Sequence, residues 1–165
     1  LECWELAIKS DGTPSAIALS RQKVPYVNPK NTRENKCEKG AYVVNITSHE
    51  SKVTLVAAGT EVELALKVQE NLKQNNIHSK VVSMPCMEIF DKQPDSFRKD
   101  ILDESSLIVT LEAGSVISWQ KFVTNKGINI GIDQFGESAP YKDVYNQFGL
   151  SEEKITNLIQ KKLIE

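Results

Sequence analysis

The strongest constraint on this chain is an alternation. Short apolar runs, each the length of a strand, are separated by stretches with helical period. Val53–Ala58 (VTLVAA) shows no in–out alternation, the pattern of a central strand covered on both faces. After Gly59, residues 62–72 place Val62, Leu64, Ala65, Leu66, Val68 and Leu72 on a helical apolar face, and Asn75-Asn76 ends the helix. Thr60-Glu61-Val62-Glu63 at its start fits a capping box, in which Thr60 caps the amide of Glu63 and Glu63 reaches back. Ala41–Ile46 (AYVVNI), Lys80–Met84 (KVVSM), Ser106–Leu111 (SLIVTL) and Ile128–Ile132 supply four more strands. Short helices are expected around 96–101, 115–123 and 140–148. Ser151 opens the last helix, with Glu152 and Glu153 where the helix dipole favours acids and Ile155, Leu158, Ile159 and Leu163 as its apolar stripe. The order predicts an α/β fold: a three-layer sandwich on a mainly parallel, mixed sheet of about five strands.

The first 40 residues differ in character. Leu1–Lys9 reads as the tail of an amphipathic helix, ended by Asp11-Gly12-Thr13-Pro14. Ser15–Leu19 (SAIAL) has the composition of a short buried strand, and Ser20-Arg21-Gln22 forms a polar tip at its C-terminal end. From residue 23 to about 39, Pro25, Asn28, Pro29, Asn31, Asn35 and many charges show no period, which is a linker by composition. The chain thus divides into 1–24, a linker at 25–38, and a larger unit at 39–165. Opening on Leu1 in mid-helix, it reads as a portion of something longer.

Several function classes are disfavoured. Net charge is -2 and the two signs are interspersed, so no basic nucleic-acid surface is legible. No apolar run approaches the roughly 20 residues of a membrane span, and no basic-then-apolar leader opens the chain. Cys3, Cys37 and Cys86 make no Cys-x-x-Cys pair and suggest reduced thiols. His49 and His78 lie in polar turns, and no ligand set for a metal is readable.

Other residues leave readings open. Ala58-Gly59-Thr60 has one glycine, short of a dinucleotide fingerprint. It is either ordinary strand–helix packing or an anion or nucleotide site on a helix N-terminus. Glu112, at a strand end, is a titrating acid or a structural carboxylate. Trp119 reads as core or interface packing. In Phe135-Gly136-Glu137-Ser138-Ala139-Pro140, Ser138 lacks a suitably placed His to make it a nucleophile.

Taken together, several segments resemble one family. Thr13–Gln22 with its Ser20-Arg21-Gln22 turn, Lys39–Val43, Val56–Val62, Val81–Pro85 followed by Phe90-Asp91-Lys92-Gln93, Glu112-Ala113-Gly114 and Phe135–Pro140 are similar, in order and spacing, to the C-terminal portion of transketolases. Thiamine-dependent dehydrogenase β subunits and deoxyxylulose-phosphate synthases share the domain fold. The Ser20–Gln22, Phe90–Gln93 and Phe135–Pro140 segments favour transketolase. Ala58-Gly59-Thr60 departs mildly from the family's Thr-Gly-Ser and keeps a hydroxyl.

The resemblance implies an activity of the complete enzyme: transfer of a two-carbon ketol unit between sugar phosphates in the pentose phosphate pathway. Thiamine diphosphate carries the unit and a divalent metal, Mg or Ca, holds the diphosphate. The resemblance also implies a homodimer in the cytoplasm. Residues 1–24 would end the middle, pyrimidine-binding domain, and 39–165 would be the C-terminal domain. The catalytic, cofactor and metal residues would lie outside this chain, leaving it inactive alone. Arg21 would bind the substrate phosphate, as suits a planar guanidinium. A non-catalytic dimerisation module or an anion- or nucleotide-binding regulatory module is the alternative.

Overall fold

The computed structural model describes residues 1–27, 34–123 and 126–165. Five strands form one sheet: β1 (Tyr42–Ile46), β2 (Val53–Ala57), β3 (Ser79–Ser83), β4 (Leu107–Leu111) and β5 (Ile128–Ile130). Their spatial order is β1-β3-β2-β4-β5. β1 runs antiparallel to β3, and the other neighbours are parallel. The predicted mixed, mainly parallel sheet is therefore what forms.

Register explains the two cores. Leu55 in β2 sits opposite Val81 in β3 and Val109 in β4, so the three side chains share a face. On that face Val53, Leu55, Ala57, Val81, Val109 and Leu111 pack under α2 (Glu61–Gln74) and α6 (Glu152–Ile164), which contribute Ala65, Val68, Leu72, Ile155 and Ile159. The other face carries Val56, Val82 and Ile108. It is covered by Phe90 of α3 (Met87–Asp91), Ile101 of α4 (Asp95–Ile101) and by Trp119 and Phe122 of a 3-10 segment, Ile117–Phe122. Burial of each such side chain contributes about 1.5–3 kcal/mol, and the three layers follow from β2 being buried at every position. Polar groups inside find partners: the Thr54 hydroxyl lies 2.7 Å from that of Ser106, and Thr110 donates to Asn129 at 2.6 Å.

Helix ends are set by backbone chemistry. Asn76 adopts φ +58, and Ile77 N–H reaches back to the Leu72 carbonyl at 2.9 Å, closing α2 in a Schellman motif. Gly149 at φ +82 does the same for α5 (Tyr141–Gln147), with Leu150 N–H on the Tyr145 carbonyl at 2.7 Å.

Four local expectations change. Thr60 does not cap α2. It is itself helical at φ -65, ψ -29, and its hydroxyl donates to Glu61. The first turn closes on backbone carbonyls instead: Glu61 N–H on Ala58, Val62 N–H on Gly59 and Glu63 N–H on Thr60. Ser151 holds the cap position of α6 without a side-chain cap bond. The segment expected as a helix at 115–123 is the 3-10 segment, and α3 is an additional helix. Ser15–Leu19 forms no strand, because a strand exists only through pairing and this segment joins neither edge of the sheet.

α1 (Glu2–Lys9) buries no residue of its own. Residues 28–33 of the expected linker lie outside the described residues. Its end carries a 3-10 turn, Lys36–Lys39, capped by Asn35, whose side chain accepts from Cys37 N–H at 3.0 Å.

Candidate functional site

The sheet order reverses between β2 and β4. The connection from β2 leads to β3 on one side, and that from β4 leads to β5 on the other. In open α/β sheets, a crevice forms beyond the carboxyl ends of strands at such a reversal. Here the β2 end delivers Gly59, Thr60 and Glu61, and the β4 end delivers Glu112. Gly59 takes φ +57, which lets the chain turn sharply from strand into α2.

Glu61 is 6% exposed. One of its carboxylate oxygens accepts from the Thr60 hydroxyl at 2.7 Å and from the Tyr145 phenol of α5 at 2.6 Å. Burial, together with this donation to a carboxylate, pushes the Tyr145 hydroxyl up to about 12. Glu112 accepts from the Trp119 indole N–H at 3.0 Å. Burial raises its carboxyl above the ordinary 4.5; the Trp119 bond opposes the shift and the charge of Glu61 adds to it. Glu112 therefore anchors the buried Trp119 and carries a perturbed acid at the same time. The helix start that sequence left open as an anion site is already served by the acids Glu61 and Glu63 in its first turn.

Beside the crevice lies a groove of about 320 Å³, bounded by Gln22, Lys23, Thr60, Leu64, Tyr141 and Tyr145. The Ser20–Gln22 turn thus reaches the same end of the sheet as Gly59 and Thr60. Arg21 is exposed next to Gln22 and makes no hydrogen bond or ion pair with the described residues. It does not itself bound the groove. Ser138 is exposed with the rest of 133–140, and no three His, Cys, Asp or Glu side chains converge among the described residues. Sequence reasoning passed over Glu61 as a site residue and Tyr145 altogether. An acid directly after a strand-Gly-Thr turn is a readable signal for the first. Nothing local marks a tyrosine 84 residues away.

A family model described as the transketolase-like TK C-terminal domain matches residues 40–151. A transketolase from Rhodobacter capsulatus is 38% identical over 168 residues, taking in 98% of this chain and 25% of that protein. A chloroplastic transketolase from Solanum tuberosum is 40% identical over 155 residues, 92% of this chain and 21% of the other. The crystal structure of transketolase from Campylobacter jejuni superposes with a TM-score of 0.85 at 36% identity, over 97% of this chain and 24% of that one. The chain thus spans about a quarter of the length of the relatives it matches. No helix among the described residues is long and apolar enough to cross a membrane. With the layered fold, the strand-end crevice and these matches in agreement, the chain belongs to the transketolase family, of which residues 40–151 match the C-terminal domain.

Proposed function

We propose that this chain serves a transketolase, a transferase moving a two-carbon ketol unit between sugar phosphates, and that it has no turnover by itself. Residues 1–24 would end the middle domain, 25–38 would link, and 39–165 would be the C-terminal domain. The single observation that carries the role of Arg21 is its placement. A guanidinium with no hydrogen-bond or ion-pair partner among the described residues stands exposed, next to a groove its neighbours Gln22 and Lys23 line. Such a group costs little desolvation to present and matches phosphate oxygens with several donors.

The family implies thiamine diphosphate with a divalent metal. The residues here do not fit the metal, since no convergent ligand set exists among the described ones. No step is therefore assigned to this chain through either group. Its own contribution is to hold the substrate phosphate with Arg21 and to support a homodimer in the cytoplasm.

The test has two arms. The purified chain alone should transfer no ketol unit, and adding the remaining three quarters of a relative such as the Rhodobacter capsulatus transketolase should restore transfer. Turnover by the chain alone, or none from a folded mixture, overturns the reading. In the restored enzyme Arg21→Ala should raise KM for phosphorylated sugar with kcat little changed, losing about 1.5–3 kcal/mol of binding. Equal KM would remove Arg21 from the site.

A further inference from the structure

Sequence spacing predicts no pairing among the three cysteines, yet the fold brings two together. α1 lies against the Lys36–Lys39 turn. The Glu2 carboxylate accepts from the backbone N–H of Lys36 at 3.0 Å and of Cys37 at 3.3 Å. Asn35 donates to the Glu2 carbonyl and to the Glu5 carboxylate, each at 3.0 Å. These bonds hold the first turn of α1 on the Lys36–Lys39 turn, with Cys3 directly after the Glu2 whose carboxylate takes the Cys37 amide, and the Cys3 thiol lies near enough to raise that of Cys37. Cys37 is buried, Cys3 is partly open to solvent, and both are free. The third thiol, Cys86, donates to the Glu88 carboxylate at 3.5 Å, and its backbone N–H meets the Gly40 carbonyl at 3.1 Å.

We propose that Cys3 and Cys37 form a redox-sensitive pair that closes to a disulfide under hydroperoxide, tying α1 to the start of the C-terminal unit. The accessible thiol is the one that meets the oxidant, and the buried one resolves it. The Cys3 thiolate attacks one peroxide oxygen. The O–O bond breaks, Cys3 becomes a sulfenic acid, and the other oxygen leaves as hydroxide and is protonated to water. Cys37 then attacks the Cys3 sulfur. The S–S bond forms as the S–O bond breaks, the Cys37 proton leaves, and the hydroxyl departs as a second water. Two thiols lose two electrons and two protons, and one peroxide is reduced to two waters. Burial, the neighbouring Cys3 thiol and the Glu2 carboxylate all raise the Cys37 thiol, so Cys37 is not the thiol that meets the oxidant first.

The folded chain is treated with hydrogen peroxide, the remaining thiols are alkylated with iodoacetamide, and peptides are mapped without reductant. A Cys3–Cys37 link is expected to exceed links to Cys86 by about tenfold or more, because the bonds of α1 to the Lys36–Lys39 turn hold the first pair on one contact, while the Cys86 thiol is engaged with Glu88. Dithiothreitol should abolish it, Cys86→Ser should leave it intact, and Cys3→Ser should remove it. Full unfolding in urea before peroxide should level the three pairings. Cys3 driven to sulfinic or sulfonic acid with Cys37 still alkylated would overturn the proposal. A main product that joins two chains or involves Cys86 would overturn it too. Mapping of the parent chain and Cys86→Ser decides the matter even if Cys3→Ser fails to fold.

Discussion

Glu112 shows how a single side chain can stabilise and destabilise at once. Its bond to Trp119 holds a side chain that is 1% exposed among the aromatics Phe90 and Phe122. Burial and the charge of Glu61 nevertheless disfavour its ionised form. An acid whose folded pKa lies above its unfolded value binds more protons folded than unfolded. Its contribution is therefore largest below 4.5 and declines as pH rises through the folded value. Glu112→Gln keeps an oxygen for the indole N–H and removes the titration. It should raise the urea midpoint at pH 7, with the gain shrinking toward pH 4.5. A variant less stable than the parent at both pH values would show that the carboxylate is needed charged. At this scale the sequence was partly legible. Glu112 stood out because it ends an apolar run where a strand end places functional groups. Tyr145 was invisible, because its partner Glu61 meets it only after the chain has passed through β3, β4 and β5.

The helices separate what pattern reveals from what packing decides. The stripe Ile155, Leu158, Ile159 and Leu163 was readable as one apolar face of α6. Yet Ile155 and Ile159 are fully buried against α2, while Leu158 and Leu163 remain partly exposed. Period gives the face, and the neighbouring helix decides how much of it is covered. Ile159→Ala should cost about 2–4 kcal/mol in chemical denaturation, as core truncations do, and Leu158→Ala less than about 1 kcal/mol. Equal costs would mean that α6 sits differently on α2. The same logic accounts for the misread Ser15–Leu19. Its composition suits a strand, but composition supplies no partner. The Thr60 capping box failed for a related reason. Gly59 in the left-handed region turns the chain so tightly that Thr60 is already helical and the turn closes on main-chain carbonyls.

At the scale of the molecule, stability is concentrated after residue 35. Both cores are built from the sheet and from α2, α3, α4, α6 and the Ile117–Phe122 segment. Of the first 27 residues only Val27 packs against either. α1 contributes the Glu2 bonds to Lys36 and Cys37 and the bonds Asn35 returns. Beginning the chain at Asn35 deletes these bonds and uncovers Cys37 but leaves every strand paired. Partly exposed hydrogen bonds are each worth about 1 kcal/mol or less, so the net loss should be roughly 1–2 kcal/mol. For a unit of this size that lowers Tm by roughly 3–8 °C. The shortened chain should keep the far-ultraviolet circular dichroism of the α/β unit and unfold in one cooperative step. Calorimetry that finds no transition, or one broadened into two, would show that residues 1–34 belong to the same folding unit. The proposed boundary near residue 39 would then have to move to the start of the chain.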